Sequence, residues 1–192
     1  MCIRDRLYIN GELKDSFPYS APIAYGTEPL LIGQGSGGPY NWDGTIDEVL
    51  VYDRALSNNE ISDLIKPKIN MPSTVMHGTT LNMQLSSPAH VNKPYVLALS
   101  LGTSGIPLGG ITIPLTADGI FFASLSTLIS NGILVNSIGN LNNNGQSNVM
   151  LSIPNDPGLS ILPPIYAAYV VFSDSTFNTP LAVSNAYSFD II

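Results

Sequence analysis

Residues 40–64 read YNWDGTIDEVLVYDRALSNNEISDL, and this stretch predicts a strand followed by a short capped helix. Between Thr45 and Tyr52, β-branched and aromatic side chains are interleaved with carboxylates, a pattern typical of a strand with one buried and one solvated face. Leu50 breaks the strict alternation, which favours a strand inside a sandwich over one at its edge. We therefore predict that this segment is an inner strand of a β-sandwich.

The second part of the same stretch carries the signals of a helix start. Ser57 is followed three residues later by Glu60, the spacing of a capping box. In that motif the serine hydroxyl accepts from the N–H of the glutamate, and the carboxylate accepts from the N–H of the serine. Leu56 and Ile61 fit a hydrophobic staple, and Pro67 stops the pattern. The sequence thus predicts a short helix that ends before Pro67.

Three segments, taken in order, resemble a known family. Residues 44–61, with the pattern G-x-IDEV-x-VY-x-RALS-x-x-EI, resemble the closing motif of laminin-G-like, concanavalin A-like jelly-roll domains of secreted bacterial proteins. LYING at 7–11 and PLLIG at 29–33 resemble two earlier strands of that family. LYING is also a predicted hairpin turn, because Asn-Gly suits a two-residue connection. The resemblance covers residues 7 to about 66 and implies the C-terminal part of such a jelly roll.

The composition changes at KPKINMP, residues 66–72, where two prolines lie close together. Ten carboxylates precede this segment and only four aspartates follow it. The expected fold class is all-β, with a partial concanavalin A-like jelly-roll sandwich followed by a second small β-sandwich. The expected divisions are 7–66 for the jelly-roll part, 67–72 for a linker and 73–192 for the small β-sandwich.

Residues 73–192 consist of short apolar runs separated by turn signals such as Asn144-Gly145. Regular short strands of this kind are typical of a β-sandwich. Within it, YVLALSLG at 95–102 is similar to C-terminal modules of large secreted bacterial proteins. Ser124–Ser130 has the alternative of one helical turn. The predicted strands are 74–85, 95–101, 111–115, 120–125, 133–141, 147–153, 165–173 and 181–192.

The first six residues, MCIRDR, resemble a recurrent adaptor-derived start of reading frames from metagenomic assemblies. We expect residues 1–6 to be non-native, with a signal peptide and further domains of the same protein encoded upstream. Together with the laminin-G-like resemblance, this expectation implies a secreted or cell-surface protein.

Charge and composition exclude several classes of partner. The net charge is −7, and only seven basic residues are present, so a nucleic-acid partner is not expected. No apolar run approaches the roughly 20 residues that a membrane-spanning helix needs. The single cysteine, Cys2, allows neither a disulfide framework nor a thiolate metal site.

Catalysis is not expected from this sequence. The resemblance implies glucanase relatives with Glu-x-Asp-x-x-Glu on one strand, whereas Asp47 and Glu48 are neighbours and point to opposite faces of a strand. His77 and His90 are the only histidines, and no serine lies in a Gly-x-Ser-x-Gly elbow. We interpret both histidines as surface or turn residues.

Two pairs of residues are candidates for ligand binding. Asp43 and Asp47 are the candidate ligands of a structural Ca²⁺, because the resemblance implies a calcium site that is held partly by the closing strand. The alternative is that Asp47 accepts backbone amides. Tyr40 and Trp42 are the candidate sugar-binding residues, since aromatic faces stack on pyranose rings. The alternative for Trp42 is a buried plug at the end of the sheet.

The sequence therefore favours a non-catalytic carbohydrate- or extracellular-matrix-binding or adhesion module from a secreted multidomain bacterial protein. A purely structural spacer of a surface protein remains an alternative, and so does an accessory module of a polysaccharide-degrading enzyme. The expected partner is a glycan or matrix polymer, and the expected cofactor, if any, is Ca²⁺.

Overall fold

The computed structural model describes residues 3–9, 12–19, 26, 30–34, 41–44, 46 and 49–192. The chain divides into two compact units, residues 1–62 and 63–192. The described residues are mostly β-strands in several sheets, with few and short helices, which confirms the predicted all-β class. None of the described helices is both long and apolar enough to cross a membrane.

The first unit contains an antiparallel hairpin of β1 (Ile3–Ile9) and β2 (Glu12–Tyr19). Ile9 pairs with Glu12, which confirms the predicted hairpin, although the turn itself lies outside the described residues. The strands extend well beyond the LYING segment at 7–11: β1 includes residues 3–6, and β2 includes Pro18. Proline is tolerated there because a two-stranded sheet leaves one edge of each strand without a ladder partner.

Two strand predictions for the first unit are wrong in its described part. Leu30, Leu31 and Ile32 belong to the PLLIG segment that resembles a family strand, but they are 77%, 42% and 56% exposed and lie in no regular strand. Ile46 and Val49–Tyr52, from the predicted inner strand, are likewise exposed and irregular. A strand needs a partner for its N–H and C=O groups. The described residues supply only one isolated bridge here, between Gln34 and Asn41.

The capped helix forms as predicted, as α1 (Asn58–Ile65). The N–H of Glu60 donates to Ser57 Oγ at 3.3 Å, and the N–H of Ser57 donates to Glu60 Oε2 at 2.8 Å. Arg54 donates to the same carboxylate, with its Nη2 2.6 Å from Glu60 Oε1. The hydrogen bond from the Arg54 guanidinium lowers the pKa of Glu60 the most. The backbone N–H and the hydroxyl of Ser57 lower it further, to about 2.

The second unit is built of short strands with four short helical segments between them. In chain order its named elements are β3 (Lys68–Asn70), β4 (Thr74–Val75), β5 (Thr80–Ser86), a 3₁₀ turn (Pro88–His90), β6 (Pro94–Ser100), β7 (Ile106–Leu108), β8 (Ile111–Ile113), α2 (Gly119–Ser124), α3 (Thr127–Ser130), β9 (Leu134–Val135), β10 (Ile138–Asn140), β11 (Gln146–Ser152), a second 3₁₀ turn (Pro157–Ile161), β12 (Ile165–Phe172), β13 (Pro180–Val183) and β14 (Tyr187–Ile191).

These strands form two main sheets. The four-stranded sheet has the order β3-β5-β11-β9, and the six-stranded sheet has the order β10-β6-β12-β14-β4, with β13 also paired to β12. Strands β7 and β8 form a separate hairpin. All of these pairs are antiparallel except β14 with β4. The second unit is therefore a β-sandwich, as its turn-separated apolar runs predict.

The stretch 67–72, predicted as a linker, differs from that prediction. Lys68–Asn70 is strand β3, which pairs with β5, and the Ile69 side chain is buried in the main core. Pro67 and Pro72 suggested a break in the chain. They flank a strand at the edge of its sheet, where proline interrupts no ladder.

The second unit has two hydrophobic cores, one on each face of the six-stranded sheet. Tyr95, Leu97 and Tyr169 lie in the main core between the two sheets. Ala98 and Val170, on the opposite faces of the same strands β6 and β12, lie in a second core with the β7–β8 hairpin and α2. These central strands are buried on both sides, which explains their near-continuous apolar sequence.

Residues 120–125 were predicted as a strand, and this prediction is wrong, because residues 119–124 form α2. The reason is a cap: Asp118 Oδ1 accepts from the N–H of Phe121 at 2.8 Å. Its other oxygen accepts from the N–H of Leu101 and from the Ser100 hydroxyl. Burial raises the pKa of Asp118, but these hydrogen bonds outweigh burial and lower it overall. The alternative of a helical turn within Ser124–Ser130 corresponds to α3.

Candidate functional site

Of the four predicted site residues, Trp42 and Asp43 are described, whereas Tyr40 and Asp47 lie outside the described residues. Trp42 is 65% exposed, so its interpretation as a buried plug is wrong. Its backbone N–H donates to the carbonyl of Gly33 at 2.7 Å, as part of the antiparallel bridge between Gln34 and Asn41. This backbone bridge therefore holds the start of the loop and leaves the indole accessible.

Two glycines make room for the side chains of this loop. A Cβ at Gly44 would lie 2.9 Å from Nε1 and 3.5 Å from Cε2 of Trp42, so the edge of the indole lies against the bare backbone of Gly44. A Cβ at Gly33 would lie 2.9 Å from Cδ1 of Ile46. Gly33 also has a φ of +72°, a left-handed conformation that favours glycine. The loop thus supports the indole edge and exposes the rest of the ring.

Asp43, the described half of the predicted calcium pair, is exposed. Among the described residues no three His, Cys, Asp or Glu side chains come together as a metal site would require. Calcium normally takes six to eight oxygen ligands, so Asp43 cannot hold the ion by itself. Because Asp47 is outside the described residues, the calcium site stays a prediction.

The two histidines lie in turns or loops, as predicted. His90 ends the first 3₁₀ turn, and its Nδ1 lies 2.7 Å from the hydroxyl of Ser87, the residue that precedes that turn. Burial, followed by the charge of Lys93, lowers the pKa of His90. A hydrolytic serine must reach its substrate, but Ser87 is fully buried. His77 contacts the Asn155 side chain instead. We interpret the Ser87–His90 contact as part of the turn.

The second unit has an open groove that the sequence did not predict. It measures about 610 Å³ and lies on the exposed face of the four-stranded sheet. We call it the amide groove, because most of its lining consists of amide side chains. Its lining residues are Asn70, Met71, Pro72, Asn82, Gln84 and Asn148.

The register of the strands aligns these amides. Gln84 on β5 lies opposite Asn70 on β3 and opposite Asn148 on β11, so three amides form one row across the sheet. Asn82 lies two residues before Gln84, on the same face of β5. The sequence does contain a signal for this surface: amides alternate with Leu81, Met83 and Leu85, which are buried.

An apolar crevice of about 240 Å³ lies within the second core. Its floor is formed by Ala98 and Ala168, which face each other on β6 and β12. Larger side chains, including Phe121 and Phe172, form its walls. Its lining is almost wholly apolar, so it offers no polar group that would orient a ligand.

Comparison with known proteins points to one family for the first unit. Residues 5–62 match a laminin-G-type family model described as the concanavalin A-like lectin/glucanases superfamily. The match supports a laminin-G-like domain in this part of the chain and includes Trp42 and Asp43. No curated protein sequence gives a significant match.

One solved structure with detected similarity is the superoxide reductase (neelaredoxin) from Ignicoccus hospitalis. The two chains share 10% sequence identity, and the similarity covers 66% of this chain and 80% of that one. The TM-score is 0.32, which is too low to carry any argument about this protein.

Proposed function

We propose that this chain is a non-catalytic carbohydrate- or matrix-binding module of a secreted or cell-surface bacterial protein, in which Trp42 is the stacking residue. One observation carries the proposal: the Trp42 indole is exposed on a backbone-anchored loop, within the segment that matches a superfamily named for lectins and glucanases. An exposed aromatic ring can contact a sugar directly, and for this reason we propose carbohydrate binding as the function.

The proposed contact is stacking of a sugar ring on the exposed indole. A pyranose presents an apolar C–H face that packs against an aromatic ring, while its hydroxyl groups need polar neighbours. Asn41 and Asp43 flank Trp42 in sequence, and both are exposed. Tyr40 belongs to the same proposal through the sequence alone. This combination of one apolar platform and a few polar groups is typical of small-ligand recognition.

Removal of the ring tests the proposal. We expect Trp42→Ala to weaken glycan binding roughly thirtyfold, the equivalent of about 2 kcal/mol for a central aromatic contact. Trp42→Phe should retain part of the affinity, because it keeps an aromatic face. Phe17→Ala is the matched control, since Phe17 is an equally exposed aromatic residue of the same unit. The measurement is a broad glycan array followed by calorimetry on the best ligand.

Two outcomes contradict this proposal. Equal affinity of wild type and Trp42→Ala would remove Trp42 from the site. An array that gives no signal with correctly folded protein would favour the spacer function instead.

The calcium prediction is tested separately. Melting temperatures in about 10⁻³ M Ca²⁺ and in chelator should differ for wild type but not for Asp43→Asn. Equal melting temperatures of the wild type would contradict a calcium cofactor.

The proposed absence of catalysis rests on the carboxylates. A retaining glycosidase needs two carboxyl groups about 5–5.5 Å apart. The Glu-x-Asp-x-x-Glu pattern of glucanase relatives does not occur anywhere in this sequence. An accessory role beside a separate polysaccharide-degrading domain is compatible with the same glycan contact, and release of reducing sugar by the chain itself would contradict the proposal.

A further inference from the structure

We infer that the amide groove of the second unit is a separate binding site for a neutral, hydroxyl-rich glycan chain. This inference does not rest on Trp42, because the groove lies in the other unit and is formed only by residues of that unit. It assigns a ligand class to a surface outside residues 5–62, the part of the chain that the family model matches.

The amide side chains of the groove are able to form hydrogen bonds with a ligand. A side-chain amide offers two N–H donors and one carbonyl acceptor, so it can bind hydroxyl groups in either role. In the described structure, the side-chain amides of Asn70, Asn82, Gln84 and Asn148 make no hydrogen bond to the protein. A ligand that binds them therefore displaces water and breaks no internal contact.

The amides of the groove are spaced regularly across the sheet. Asn70, Gln84 and Asn148 lie on three adjacent strands at paired positions. Adjacent strands are about 4.8 Å apart, so the row spans about 10 Å. This span matches a short oligosaccharide lying across the strands, with hydroxyl groups of successive rings facing successive amides. Asn82 widens the row along β5.

The lining of the groove is uncharged. No charged side chain lines the groove. A polyanionic glycan or a nucleic acid would find no cation among these lining residues. Met71 and Pro72 complete the lining and give the C–H face of a sugar an apolar surface to contact. The groove therefore favours a neutral ligand over a charged one.

The strands that form the groove carry asparagine at exposed positions. Asparagine is depleted in β-strands, and exposed strand positions favour Thr or Val. Asn70, Asn82 and Asn148 nevertheless occupy exposed positions on three strands of one sheet. Local strand preference does not explain this choice of residues, whereas a common ligand does.

The experiment uses the full chain labelled with ¹⁵N, titrated with dextran, yeast mannan or a soluble β-glucan and followed through its side-chain NH₂ signals. Single alanine variants assign the four groove signals. We expect those signals to shift with at least one probe, and the triple variant N82A/Q84A/N148A to lose at least tenfold in affinity. Asn140→Ala is the matched control, because Asn140 is an exposed strand asparagine of the other main sheet. If the alanine triple variant melts early, the corresponding threonine variant replaces it.

Four outcomes would overturn the inference. They are the absence of any shift with all three neutral polymers, full affinity of the folded triple variant, a response to polygalacturonate alone, and loss of every groove shift in Trp42→Ala. Groove shifts that persist in Trp42→Ala support a separate site. If Trp42→Ala has no effect on any binding while the groove signals shift, the proposed role of Trp42 fails and this inference stands.

Discussion

The two units use similar apolar residue types with opposite results. In the second unit, central side chains such as Tyr95, Leu97 and Tyr169 are fully buried between two sheets. In the first unit, none of the described side chains is buried to that degree, and apolar residues such as Leu7 and Val51 are exposed. The difference shows that a strand-like apolar pattern gives a core only where a second sheet face covers it.

The first unit is instead held by local contacts in its described part. The β1–β2 hairpin pairs neighbouring segments, and the Ser57–Glu60 capping box joins residues three apart. A longer contact joins the Tyr8 hydroxyl to the Asn58 side chain at 2.6 Å. Exposed polar contacts contribute little to the free energy of unfolding.

The largest expected effect comes from truncating a core leucine of the second unit, and an exposed leucine of the first unit provides the comparison. We expect Leu97→Ala to lower the free energy of unfolding by about 2–5 kcal/mol, because its side chain is fully buried in the main core. Leu50→Ala should change it by no more than about 0.5 kcal/mol, since Leu50 is 58% exposed. Denaturant unfolding of both variants measures the difference. Similar losses would show that the first unit buries Leu50 against a partner surface.

A smaller effect is expected at two glycines of the second unit. Gly145 and Gly132 both have positive φ, +70° and +68°. A Cβ at Gly145 would lie 2.7 Å from the carbonyl carbon of Ser87 and 2.9 Å from Cα of Pro88, whereas a Cβ at Gly132 would meet nothing. We expect Gly145→Ala to cost roughly 2–4 kcal/mol, from backbone strain plus overpacking.

Gly132→Ala is the control for the φ term alone, at roughly 1–2 kcal/mol. The melting temperatures of the two variants should therefore differ clearly. Equal losses would mean that the turn around Ser87 moves to accept the extra carbon and that the close approach contributes nothing.

The smallest expected effects come from the helix caps. Asp118→Ala should cost about 1–2 kcal/mol, because it removes the acceptor for Phe121 and Leu101 in the second unit. Ser57→Ala should cost at most about 1 kcal/mol, because the box at α1 is exposed and Arg54 still pairs with Glu60. Circular dichroism during thermal melts measures both losses. A larger loss for Ser57→Ala would contradict the contrast between the units.

The same caps predict the direction of the pH dependence. The folded pKa of Glu60, about 2, lies below its ordinary value of 4.5, so its contribution is present above 4.5 and is lost as the pH falls toward 2. The lowered pKa of Asp118 acts in the same direction. Acid should therefore weaken both caps, and Glu60→Gln should remove its part of the dependence.

Local signals in the sequence predicted part of this structure correctly. Ser57 and Glu60 fixed the start of α1, and Asn10-Gly11 indicated the register of the hairpin, because both signals act over a few residues. The sequence also singled out Trp42 as a candidate but left its exposure open. It missed the amide groove, because alignment of Asn70 with Gln84 and Asn148 depends on strand pairing across the sandwich.

The sequence by itself determined the all-β class, the β1–β2 hairpin and the Ser57 cap of α1, since these depend on backbone preferences and hydrogen bonds between near neighbours. Only the tertiary structure decided which apolar strands acquire a covered face and that residues 68–70 belong to a sheet. It also decided that residues 119–124 form a helix, whose cap Asp118 accepts from Ser100 and Leu101 as well. The physical reason is that burial and strand register join residues far apart in the chain, and periodicity within one segment carries no information about its partner.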